Sequence, residues 1–198
     1  MNPADYIAGD KDAGFTFGEC FKSDTADREG VDNTPPADLI PVIAATAAGV
    51  LMPLRTHFAI PFAPLSFFRS RALERLICAK AIERVREAAR KAAVVRPNKA
   101  TAAPLAMDAA ESKYLDGKQH PKGNAVDFRI PRVSLVDAGR WFERSGLPFD
   151  QMIFEFYNPA NLAAGWLHIS LVDGNHNRRM ILTTADGATY AGGYPATV

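Results

Sequence analysis

His120-Pro121-Lys122-Gly123-Asn124-Ala125-Val126-Asp127-Phe128-Arg129-Ile130 is the stretch around which the rest of the chain can be ordered. His120 and Gly123 fall in a loop-forming run, where a glycine lets the backbone turn sharply. From Ala125 onward the pattern alternates. Val126, Phe128 and Ile130 take one face of a strand, and Ala125, Asp127 and Arg129 take the other. Asp127 is therefore aimed away from the apolar side. Trp166-Leu167-His168-Ile169-Ser170-Leu171 has the same period, with Leu167, Ile169 and Leu171 toward a core and His168 beside Trp166 and Ser170 on the opposite face. Two such strands can present His120, Asp127 and His168 on one side of a sheet. Two histidines and one aspartate suit a divalent ion, and zinc in particular, which in catalytic sites takes three protein ligands and keeps a fourth position open.

A third strand reads from Gln151 to Tyr157. Its period puts Met152, Phe154 and Phe156 toward a core and leaves Glu155 on the other face, where a carboxylate is either solvated or in use. Glu155 is the expected general base, taking a proton from the attacking water and passing it to a leaving amine.

The spacing His-x2-Gly-x-Ala-x-Asp followed by Trp-x-His resembles the zinc D-Ala-D-Ala carboxypeptidase/endopeptidase group, peptidase family M15, and within it the small proteins of phages and prophages. The likeness extends to Phe15–Glu19, Lys22–Ala26 and Asp32–Pro36, and to Pro53-Leu54-Arg55. It continues through Ser66-Phe67-Phe68-Arg69-Ser70-Arg71, Phe149–Phe156, and Asn177–Arg179 with Ile181–Thr183. The resemblance implies a hedgehog/DD-peptidase-like fold, zinc held by His120, Asp127 and His168, and peptidoglycan stem peptides as substrates. It assigns Arg69 to a substrate carboxylate or an oxyanion, a task suited to a permanently charged bidentate group; Arg71 is the nearby alternative. Ser66, Trp166 and Ser170 are expected to shape the pocket or support the ligands. Many relatives carry the acid three residues before the last histidine, where this chain has Gly165, and Lys118 stands where a serine is usual. Relatives also pass from the arginine to the first histidine in fewer residues, so 94–119 reads as an inserted loop or lid, with a short helix over Leu105–Tyr114.

With 198 residues, 47% hydrophobic and 23% charged, the composition suits one soluble domain spanning 1–198. The net charge of +1 gives no field for gathering nucleic acid. The start lacks a basic run followed by an apolar one, so no signal peptide is expected, and the protein would be made in a bacterial cytoplasm and act at the wall or on a virion. Leu39–Leu54 is interrupted by Pro41 and Pro53 and reads as a core helix too short to span a membrane. Cys20 and Cys78 form no metal-spaced pair and read as reduced thiols.

In order, residues 1–35 are polar and should wrap over the surface. A helix from about Ala37 to His57 follows, with Leu39, Val42, Ile43, Ala47, Val50, Leu51 and Leu54 as its stripe. Ile60–Phe68 reads as an edge strand. A second helix spans about Ser70–Ala93, with Leu73, Leu76, Ile77, Ala81 and Ile82 inward, and a third is capped by Ser134 and stopped by Gly146. Strands over 151–157, 165–171 and 178–184 come last, with Asp173-Gly174-Asn175 turning a hairpin between the final two. Helices before a mostly antiparallel sheet, packed on one side of it, give the class α+β. Two functions suit this pattern: a zinc peptidase of peptidoglycan, or a structural protein among other virion proteins that keeps the fold with or without turnover. Nothing in the sequence points to a membrane partner.

Overall fold

The computed structural model describes residues 6–9, 14–94, 103–161, 163–172 and 176–196. Six strands form the central sheet: β3 (Pro64–Ser66), β4 (Ala125–Phe128), β5 (Gln151–Glu155), β6 (Trp166–Ser170), β7 (Met180–Thr184) and β8 (Ala191–Gly192). Their order is β3-β4-β6-β5-β7-β8. Neighbours are antiparallel except β5 and β7, which run parallel. The class is α+β and the sheet is mixed.

That parallel pair corrects the expected final hairpin. Both edges of β6 are occupied, by β4 and β5, so β7 pairs on the far edge of β5 instead. Asp150 fixes the crossover: the backbone N–H and the guanidinium of Arg178 donate to its carboxylate, and Met180 N–H donates to its carbonyl. Arg179 turns between them at φ 54°. The expected turn at 173–175 lies outside the described residues.

One face of the sheet is apolar. Val126, Phe128, Met152, Phe154, Leu167 and Ile169 are fully buried there in the main core. The helix Leu135–Arg144, capped by the Ser134 hydroxyl, packs so closely that a Cβ at Gly139 would come within 2.6 Å of the Phe154 ring. The long helix Ala37–Phe58 supplies Ile43, Ala47, Val50, Leu51 and Leu54 to the same core. It is long and apolar enough to cross a bilayer by length and composition, contrary to the sequence reading, because neither proline breaks it. Pro41 sits in its first turns, where its missing donor costs nothing, and the π-helical turn Ala47–Leu51 takes up the distortion just before Pro53.

The amino-terminal segment is structural, not a loose wrap. Tyr6–Ala8 and Phe15–Thr16 pair as β1 and β2, and short helices span Phe17–Phe21 and Asp24–Glu29. Phe15 and Cys20 are completely buried. Arg55 donates to the carbonyls of Gly14 and Phe62 and lies 3.5 Å from the centre of the Phe15 ring. Cys20 and Cys78 are both free.

The second expected helix is two, Arg71–Ile77 and Ala79–Val94, parted at Cys78. Leu73 and Ile82 are buried as expected, but Leu76 and Ile77 remain about half exposed. Within the inserted segment the helix expected over Leu105–Tyr114 forms as Ala103–Asp116, which packs antiparallel against Ala79–Val94. Glu111, nearly buried, takes both Arg75 and Arg86, while Arg71 reaches Asp116. Residues 95–102 of the insertion lie outside the described ones. The end of this hairpin delivers Lys118, Gln119 and His120 to the sheet.

Candidate metal centre

Sheet register assembles the site. Ser66 lies opposite Asp127, Asp127 opposite His168, and His168 opposite Ile153, so one row crosses β3, β4, β6 and β5 on the face away from the core. Directly opposed residues share a face, and the next row is a diagonal step away. That row carries Glu155 and Trp166, paired with each other. His120 comes from the short 3-10 turn His120–Lys122, closed by Gly123 at φ 73°. A side chain at Gly123 would strike Ile43 at 2.6 Å, so the glycine lets this loop seat on the long helix.

His120, Asp127 and His168 are all buried, and one ligand atom from each lies within 4.8 Å of the others. His120 Nδ1 is 2.6 Å from the Phe67 carbonyl, which can only accept, so this nitrogen carries the proton and Nε2 is bare. Burial, with Arg69 adding to it, pushes the His120 pKa down against the pull of Asp127 and keeps the ring neutral. Its bare Nε2 faces Asp127 Oδ1 at 3.4 Å. His168 presents Nδ1 to the same oxygen at 2.8 Å, while its Nε2 lies 3.4 Å from Gln119 Oε1. His120 Nε2 and, in the tautomer that carries its proton on Nε2, His168 Nδ1 both turn toward Asp127 Oδ1, an arrangement that could hold a cation among the three groups. The residues therefore fit a metal ion, with ligand types suited to a catalytic divalent ion.

Asp127 is steadied from behind. Arg69 Nη2 bonds its Oδ2 at 2.6 Å, Arg69 Nε donates to Ser66 Oγ at 2.7 Å, and Arg69 Nη1 reaches Glu74 at 3.5 Å. Arg69 and Ser66 thus sit at the site, with the guanidinium fully engaged and Oδ1 left for the ion. Arg71 is instead on the surface with Asp116 and Ser112. Arg69→Lys keeps the charge but cannot span three acceptors. It should weaken binding of a divalent metal by roughly tenfold or more while the protein stays folded, a result readable by competition with a chromophoric chelator.

Glu155 lies on the ligand face, as its period implied. Burial first, then the charge of Asp127, raise its carboxyl above the ordinary glutamate value, with His168, Arg69 and Lys118 pulling the other way. A carboxyl raised on folding binds more protons folded than unfolded. Stability therefore falls as pH climbs from the unfolded value through the folded one, and the full cost applies above it. Glu155→Gln should then raise the melting temperature of metal-free protein at pH 7, by about 2–4 °C for each kcal/mol relieved in a chain of this size, and the gap should close below about pH 4. Melts in chelator from pH 4 to 8 read this directly.

Trp166 packs against Phe156, ring centres 5.0 Å apart, and forms a wall beside Glu155. Ser170 is completely buried, its Oγ accepting from Gln151 N–H, so it ties β5 to β6 and does not line an open pocket. Lys118 stands with Nζ 4.4 Å from the centre of the Tyr114 ring. Gln119, Asp150, Glu74 and the Phe67 carbonyl were not picked out by sequence reasoning. Only adjacency to His120 and the charge at the head of β5 could have drawn attention to the first two. Comparison with family models, with curated proteins and with solved structures gives no match.

Proposed function

We propose that this chain is a zinc peptidase of the M15 type, with the hedgehog/DD-peptidase fold, hydrolysing stem or cross-link peptide bonds of peptidoglycan. The observation that carries the reading is the convergence of two imidazoles and a carboxylate whose ligand atoms lie within 4.8 Å of one another, with Glu155 one row away on the same face. A purely structural ion needs no acid beside it. The sequence likeness supplies the substrate class.

Zinc held by His120 Nε2, Asp127 Oδ1 and His168 Nδ1 would supply Lewis acidity for the scissile carbonyl and an acidified water. The remaining work belongs to the chain. Glu155 removes the proton from the attacking water and returns it to the amine nitrogen as the C–N bond breaks, so the water oxygen ends in the new carboxylate. Its place on the ligand face, one row from His168, lets the same carboxyl serve both steps. Arg69 fixes Asp127 and places positive charge beside the carbonyl that becomes an oxyanion. Trp166 shields Glu155 on one side.

The test is mass spectrometry of soluble products after purified peptidoglycan is incubated with zinc-loaded protein, run beside Glu155→Ala. New stem-peptide fragments or free D-alanine from the parent alone would carry the reading and identify the bond. No product from either protein, with zinc present in both, would overturn it and favour a virion-associated or structural role for the fold.

A further inference from the structure

Behind His168 lies a polar relay that the proposed reaction does not use. His168 Nε2 points at Gln119 Oε1 at 3.4 Å, and Gln119 Nε2 donates to Asp150 Oδ2 at 3.2 Å. Asp150 is completely buried by surface area and is gripped by Arg178, whose Nε bonds Oδ1 at 2.8 Å, whose Nη2 bonds Oδ2 at 2.5 Å and whose backbone N–H bonds Oδ1 at 3.1 Å. Each member has its donor and acceptor roles set by the next. Arg178 only donates, so Asp150 is held ionised and accepts. Asp150 accepts, so the Gln119 amide must turn its NH2 toward it, an orientation otherwise ambiguous for a carboxamide. The Gln119 oxygen then faces His168 and can only accept, so it supports the tautomer with the proton on Nε2, the one that frees Nδ1 for a metal in place of its 2.8 Å contact with Asp127.

We infer that Gln119, oriented by Asp150 and Arg178, is a positioning residue that fixes the tautomer and ring plane of His168 for metal binding. The inference rests on the metal-centre reading above and assigns that site a support on which the sequence likeness is silent. His120 has its own support in the Phe67 carbonyl, so the two histidines are set independently. The His168 support joins the start of β5 to the residue before the first ligand, and thus ties the sheet to the end of the inserted helical hairpin.

The obvious alternative is that the relay only clamps β5 to its neighbours. Two variants separate the two: Gln119→Leu, which removes the acceptor facing His168, and Asp150→Asn, which no longer fixes which end of the Gln119 amide faces it. The readouts are the zinc dissociation constant by chelator competition, the melting temperature of the metal-free protein, and the Nε2–H signal of His168 in 15N-labelled, zinc-loaded protein. Gln119→Leu should weaken zinc binding about 10–100-fold, the usual cost of losing an outer partner of a ligand. It should leave the metal-free melting temperature close to parental, and the Nε2–H signal should broaden by solvent exchange. Asp150→Asn should weaken zinc binding less than Gln119→Leu does, and should lower the metal-free melting temperature as well, because Arg178 loses its charge partner.

Unchanged zinc affinity and an unchanged signal in Gln119→Leu would overturn the inference, as would an Asp150→Asn variant that melts lower but binds zinc as the parent does. Parent protein that binds no zinc would sink the metal-centre reading along with it. Parent protein that binds zinc but cleaves nothing would sink only the peptidase reading, since none of these readouts uses turnover.

Discussion

On the proposed peptidase reading, Glu155→Gln is expected to lower the rate of stem-peptide hydrolysis by about 10²–10⁴-fold, the range for removing a positioned general base, while zinc affinity stays near parental. The argument is geometric first. Glu155 faces Trp166 in the last rung of the β5–β6 ladder, one row from the His168–Asp127 row and on the same side of the sheet. It is not among the three groups whose ligand atoms converge, so amide for carboxylate removes no ligand. The loss should appear in kcat with little change in KM, because the proton is in flight only in the transition state. Burial and the Asp127 charge hold the carboxyl above its ordinary range in the metal-free protein. A bound dication nearby must pull it down again. A carbon-13 titration of the Glu155 carboxyl with and without zinc should therefore show a downward shift on loading. Unchanged turnover in Glu155→Gln with zinc in place would remove Glu155 from the reaction, and an unshifted titration would place it too far from the ion to matter.

Much of this site was legible because sheets convert sequence period into facing. The alternation in 125–130, 151–155 and 166–171 is enough to put Asp127, Glu155 and His168 on one side, and the register places them in adjacent rows; it fails at Phe156, expected toward the core, which turns at φ 53° and lies exposed against Trp166. What period cannot give is strand order. Nothing local to 178–184 says that it will pair parallel with β5 across Asp150 in preference to turning back on β6. The amino-terminal segment was misread for a related reason: its apolar residues are few, but Phe15 and Cys20 are placed in the core by contacts with Arg55 and Phe68, distant in sequence. The role of Arg69 was half legible. A guanidinium near the site followed from the likeness, but its attachment to the back of Asp127 depends on β3 lying beside β4, which only the tertiary structure supplies. Gln119 and Asp150 illustrate the limit. Polar residues beside a ligand are common, and their function resides in a chain of hydrogen bonds spanning positions 119, 150, 168 and 178.

Gly165→Ala should destabilise the protein by more than about 4 kcal/mol, an effect at the extreme of single substitutions, and lower its melting temperature by roughly 10 °C. Gly165 sits at φ 71°, and a Cβ there would lie 2.2 Å from the Glu155 carbonyl oxygen and 2.7 Å from the Phe156 carbonyl carbon. Neither neighbour is a side-chain end that can swing away. Phe156 is itself at φ 53°, and the Gly165 carbonyl accepts from Arg129, so the backbone on both sides of the turn is committed. Gly146 is the internal control. Its φ of 75° carries the same conformational cost for an L side chain, but a Cβ there meets nothing within 4 Å, so Gly146→Ala should cost only about 1–2 kcal/mol. The difference between the two variants isolates the collision from the dihedral. It also bears on catalysis, because position 165 is where many M15-type sequences carry their acid. Here any side chain would displace the strand that holds Glu155, so the two placements of the acid are mutually exclusive in this fold. Glu155→Gln with Gly165→Glu should accordingly fail to recover activity and should melt below Glu155→Gln alone. Near-parental melting of Gly165→Ala would show that the turn yields, and recovery of turnover in the double variant would show that position 165 can still host the acid.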